Sequence, residues 1–63
     1  MKPEALVKAL RVDLEEDRPT FAKRWQKSAR TIENWEQGRR IPDAFVLERM
    51  RQQAHRRGLI KVP

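Results

Sequence analysis

Between Asp17 and Gly38 the chain has room for two short helices and one tight turn, and for little else. Asp17 is a natural N-cap, and Pro19 suits the first turn of the helix that follows, where a missing N–H is harmless. Phe21, Ala22 and Trp25 then fall on one helical face. Ser28 is a second N-cap, and Ile32 and Trp35, three apart, form the inner face of the next helix. Gly38 stands where a helix end wants a left-handed residue, and Arg39-Arg40-Ile41-Pro42 makes the exit loop. Two helices joined this tightly meet near their middle, so one position of the leading helix must be small. Ala22 supplies it.

The flanks extend the same pattern. Leu6, Val7, Leu10 and Leu14 recur at helical spacing within residues 4–14, with Pro3 suited to the first turn. Asp43 is placed to cap a fourth helix, lined on its inner side by Ala44, Leu47, Met50 and Ala54 and ended by Gly58. Phe45 and Val46 fall off that inward stripe. The expected fold is therefore all-α: a compact domain of four or five helices over residues 1–58, with a central helix-turn-helix. Strand alternation is absent except in the tail, residues 59–63, where Leu59, Ile60 and Val62 suit a short strand.

Sixty-three residues allow one domain, with no separate effector domain expected. A chain this short buries only about 60% of its unfolded surface, so its core must be small. The absence of cysteine excludes disulfides and thiolate–metal staples and fits a reducing cytoplasm. The longest apolar runs, Phe45-Val46-Leu47 and Leu59-Ile60, are too short to span a bilayer. Met1-Lys2-Pro3-Glu4 leads into an acidic amphipathic segment and does not read as a signal peptide, so a soluble, cytoplasmic protein is expected.

Charge points to a partner. The chain carries a formal +6, unevenly spread. Residues 18–40 hold seven cations (Arg18, Lys23, Arg24, Lys27, Arg30, Arg39, Arg40) against Glu33 and Glu36, a net of +5, whereas residues 1–17 are net −2. A basic middle beside an acidic start suggests one electropositive face directed at a polyanion; the plainer reading is charge kept for solubility.

With Ile32 inward and 100° per residue, Arg30, Glu33, Asn34 and Gln37 project outward from the third helix, with Ala29 at the flank. Arg30 has the chemistry to grip guanine O6 and N7 in the major groove; otherwise it is an ordinary exposed arginine. Asn34 suits adenine or a phosphate. Glu33 either accepts from cytosine N4 or, the reading we favour, orients a neighbouring arginine. Trp25 and Trp35 sit at core spacing and read as packing residues more than stacking platforms. His55 stands alone, and Glu15-Glu16-Asp17 reads as helix-end solvation and capping, so no metal site is expected. No nucleophile triad, phosphate loop or carboxylate pair can be assembled, and we expect neither an enzyme nor a cofactor.

These residues resemble a known family. Phe21-Ala22, Ser28, Thr31-Ile32, Trp35-Glu36, Gly38 and Pro42 are similar to the Cro/phage-repressor (XRE-like) helix-turn-helix, and the likeness runs without a gap from about Val7 to Met50. The resemblance implies a third helix that reads bases and a dimer that binds operator half-sites. It assigns base reading to Ser28, Ala29, Arg30, Glu33 and Asn34. Phosphate contact falls to Arg18, Lys27, Thr31, Gln37, Arg39 and Arg40, and a structural ion pair to Arg11 and Glu36. Two positions depart from the family pattern. Arg18 replaces a usual glutamine, and Gln26-Lys27 replaces a glycine followed by an aliphatic residue. A non-glycine residue held at positive φ costs on the order of 1 kcal/mol, so a remodelled turn is one expectation there.

The resemblance implies a transcriptional regulator, a repressor, prokaryotic or phage-encoded, acting on a palindromic double-stranded DNA operator as a homodimer. A competing function is a protein-binding adaptor or antitoxin whose partner is a toxin or another protein. Binding of RNA or single strands is a third, weakened because the two tryptophans read as buried and no other aromatic cluster is offered for stacking. Phe45 with Val46, or Leu59, Ile60 and Val62, are the apolar sets expected to form the dimer patch, the tail as a strand paired with its mate. The plainer alternative has Phe45 completing the core and the tail frayed.

Overall fold

The computed structural model describes residues 1–60. Its four helices are α1 (Pro3–Asp13), α2 (Arg18–Arg24), α3 (Ala29–Glu36) and α4 (Ala44–Arg56), and the described residues contain no strand. The architecture is all-α, as the spacing predicts. α1 packs on both α3 and α4, while α2 packs on α3, so α1 and α3 form the spine of the domain. No helix among the described residues is long and apolar enough to cross a membrane.

The caps begin and end these helices largely where the sequence places them. Asp17 accepts a hydrogen bond from the Thr20 N–H at 2.9 Å, and Ser28 accepts one from the Thr31 N–H at 3.2 Å. Asp43 occupies the N-cap position of α4, but its side chain makes no capping bond. It lies instead 3.6 Å from the Lys27 ammonium, tying α4 to the α2–α3 turn.

All four C-termini close in the same way. The N–H two residues past the C-cap reaches back to the fifth residue behind it: Glu16 to Arg11, Lys27 to Ala22, Arg39 to Asn34 and Leu59 to Ala54, at 2.9–3.2 Å. Each closure needs one left-handed residue. Gly38 and Gly58 provide it at φ 75° and 77°, but Glu15 and Gln26 adopt φ 56° and 58° without being glycine. The Gln26-Lys27 turn thus keeps the left-handed step in spite of its residues.

The core joins Leu6, Val7 and Leu10 of α1 to Phe21 and Ala22, Ile32 and Trp35, and Val46, Met50 and Ala54 of α4. Leu14 and Trp25 are only half-buried, with the Trp25 ring edge-on to Phe21 at 6.0 Å between centroids. The Trp25 indole N–H is buried and meets no acceptor among the described residues. The inward stripe of α4 differs from expectation. Val46 faces the core, Leu47 is half-buried and Ala44 is exposed, because Met50 shares a helix face with residue 46 four behind as readily as with residue 47 three behind.

Phe45 does not complete the core: it is 71% exposed. Leu59 and Ile60 pack partly against the core as an irregular segment and form no strand. The remainder of the proposed tail strand, Val62 included, lies outside the described residues. Of the apolar residues expected to form a dimer patch, Phe45 alone among those described is fully displayed.

Candidate nucleic-acid interface

The outer side of the α2–α3 pair is set by a cluster beneath it. The Glu36 side chain, 2% exposed, receives two bonds from Arg11 (Nε to Oε2 at 2.6 Å, Nη2 to Oε1 at 3.2 Å). Arg18 adds Nε and Nη2 bonds to Oε1 at 3.3 and 3.2 Å. Arg11 Nη1 also donates to the Glu16 carbonyl at 3.0 Å, just past the end of α1. The expected pair is thus a three-residue cluster that holds α1, the start of α2 and the end of α3 together. Its formal charge is +1. The Glu36 hydrogen bonds, opposed by burial and helped by the nearby Glu36 and Asp17 charges, hold the Arg11 guanidinium above its ordinary pKa.

Arg18 is therefore not the free phosphate-reaching side chain that the resemblance implies. Glu36 takes two of its N–H donors; a guanidinium has five, and this one remains 40% exposed. It lines a shallow depression shared with Pro19, Ala29, Arg30 and Glu33, which joins the start of α2 to the outer face of α3. Asp17, on the same rim, has its carboxyl held below the ordinary aspartate range by the Thr20 hydrogen bonds.

On α3, Arg30 is exposed and forms no ion pair among the described residues. Ala29, Thr31, Glu33 and Asn34 are half-buried, and Ser28 and Gln37 are exposed. Ser28 and Thr31 share a hydroxyl contact of 3.0 Å at the helix start, and Gln37 donates to Glu33 at 3.4 Å one turn from its end. Glu33 is engaged along its own helix by Gln37 and makes no ion pair with Arg30 among the described residues. Arg39 and Arg40 follow as exposed cations, their backbone N–H groups converging on the Asn34 carbonyl at 3.0 and 3.4 Å. That convergence fixes the exit loop to the end of α3.

Lys27 stands apart from this set. It is held near Asp43 and lines a separate groove against α4. Comparison of the chain with protein-family models, curated proteins and solved structures found no match. The surface is to be read from its own chemistry. It offers a helix whose large apolar residues, Ile32 and Trp35, are all buried, and whose exposed side carries one unpaired arginine flanked by polar groups. Such a face can hydrogen-bond base edges and is bordered by cations suited to phosphates.

The reach of Arg18 to Glu36 has no sequence signal, since it spans two helices. Nor does the Arg24–Glu16 pair, in which Nε and Nη2 each donate to a carboxylate oxygen at 2.7 Å and raise the Arg24 pKa. His55 is exposed, and no group of three or more His, Cys, Asp or Glu among the described residues is placed to hold a metal.

Proposed function

We propose that the protein binds double-stranded DNA sequence-specifically by laying α3 in the major groove, and regulates transcription, as a repressor by occlusion. The observation that carries this reading is Arg30: exposed and unpaired on α3, beside Arg18 and on the same helix that leads into Arg39 and Arg40. Eight residues make α3 about 12 Å long, a length the major groove admits. In this reading Arg30 and Asn34 contact base edges, with Ser28, Ala29 and Glu33 shaping the fit. Arg39, Arg40, Gln37, Thr31 and the free donors of Arg18 contact phosphate. The residue pattern shared with Cro/phage-repressor domains supports the same assignment.

So short a helix touches few base pairs, and two symmetric copies on a palindrome roughly double the contact energy. The working form is accordingly a homodimer on DNA, in a cytoplasmic setting. A protein-binding adaptor is the second reading, favoured by the display of Phe45.

Selection from a random duplex library tests the proposal. The expected result is a palindrome with half-sites about 10 base pairs apart and affinity that falls steeply with salt. Failure to enrich any sequence, with affinity independent of salt, would overturn it.

A further inference from the structure

A second surface lies away from the α3 face. The C-terminal end of α2 and the first turns of α4 leave a groove lined by Trp25, Phe45 and Val46 together with Arg24, Lys27 and Arg49. It shares no lining residue with the depression at Arg18 and Arg30. Phe45 is 71% exposed, and the Arg49 guanidinium lies over its ring, 5.8 Å from the centroid, in a cation–π contact. No carboxylate among the described residues lines the groove. Glu16 answers Arg24 and Asp43 answers Lys27 from outside it, whereas Arg49 forms no ion pair among the described residues.

We propose that this groove docks an acidic peptide segment of a partner protein, with an apolar anchor side chain seated on Trp25 and Phe45. Aromatic and arginine side chains grouped around a concavity are the composition that dominates binding energy at protein interfaces. The anchor gains apolar contact with the exposed ring, and flanking carboxylates meet Arg49 and compete for Arg24 and Lys27, whose surface pairs exchange readily. Charge argues against a second copy in this place. An isologous contact would set Arg49, Arg24 and Lys27 of each copy against the same cations of the other, in a chain already at +6. A duplex would answer the cations but set its phosphate backbone, not its stacked bases, against the exposed Phe45 ring.

Selection of a displayed random-peptide library on the intact protein, followed by affinity measurement with synthetic copies of the winners, tests the inference. The expected winners carry aspartate or glutamate on both sides of a leucine or an aromatic residue. Their affinity should drop about tenfold or more on Phe45→Ser, and fall on Arg49→Glu in a way that added salt diminishes. Duplex DNA affinity of Phe45→Ser should stay within about twofold of the parent, since the residue lies outside the α3 surface and, by the same repulsion between cations, outside the contact between copies. Three results would overturn the proposal. Winners without acidic enrichment, or equally tight on Phe45→Ser, would remove the groove as their site. Self-association abolished by Phe45→Ser would make the occupant a second copy. DNA affinity lost in parallel with peptide affinity would make it nucleic acid. Thermal melting of both variants monitors folding, which an exposed position should leave intact.

Discussion

Glu15 and Gln26 carry the backbone strain of the domain, since each stands in left-handed conformation at a helix end where Gly38 and Gly58 show the comfortable solution. Both are exposed and neither side chain makes a hydrogen bond among the described residues. Gln26→Gly should therefore stabilise the fold by about 0.5–1 kcal/mol, the strain relieved less the entropy that glycine loses on folding. Glu15→Gly should do the same, additively, because the two turns are separate. Denaturant unfolding checks this, and destabilisation by either change would contradict the closure geometry. Asp17 supplies a pH signature. Its carboxyl is held below the ordinary aspartate value by Thr20, so its stabilising contribution is present above that value and disappears as pH falls through the depressed one. Asp17→Asn keeps a capping oxygen without the charge, and its stability should fall less than the parent's below about pH 4. Parallel acid limbs would count against the assignment.

At the scale of elements, the Arg11–Glu36–Arg18 cluster decides how α3 is presented. Removing Arg11 leaves a buried carboxylate with one exposed partner, and removing Glu36 leaves two guanidiniums facing each other. Arg11→Met or Glu36→Met should each cost about 3 kcal/mol, with much of the loss recovered in the double variant. Arg18→Ala should cost less, because that side chain is 40% exposed and already solvated. A double-mutant cycle between Arg11 and Glu36 without coupling would refute the cluster's role. The elements themselves were largely legible. Asp17, Ser28, Gly38 and Gly58 announce helix ends because each satisfies a local backbone need, and Phe21, Ala22, Ile32 and Trp35 announce a shared inner face through spacing. The α4 register was not legible. Phe45, Val46 and Leu47 are consecutive and stand 100° apart, so period alone leaves open which of them turns inward. The folded core takes Val46. The third member of the ion cluster was hidden for a related reason: eighteen residues separate Arg18 from Glu36, and only the folded chain brings them together.

At the scale of the whole molecule, the described residues present two chemically distinct surfaces on a small core. One is the polar, arginine-bearing face of α3, and the other is the aromatic groove at α4. A domain that reads DNA with the first must show two kinds of cation on it, one that knows the sequence and others that know only the phosphates. The most direct measurement compares Arg30→Ala with Arg39→Ala on the selected duplex and on its single-base-pair variants, across a range of salt. Arg30→Ala should cost roughly 1–3 kcal/mol on the best site and erase the preference at one base pair of each half-site. Arg39→Ala should weaken all sequences alike and reduce the salt slope by about one phosphate contact. Equal loss on every sequence from Arg30→Ala, with base preference intact, would contradict the claim that α3 reads DNA through this residue.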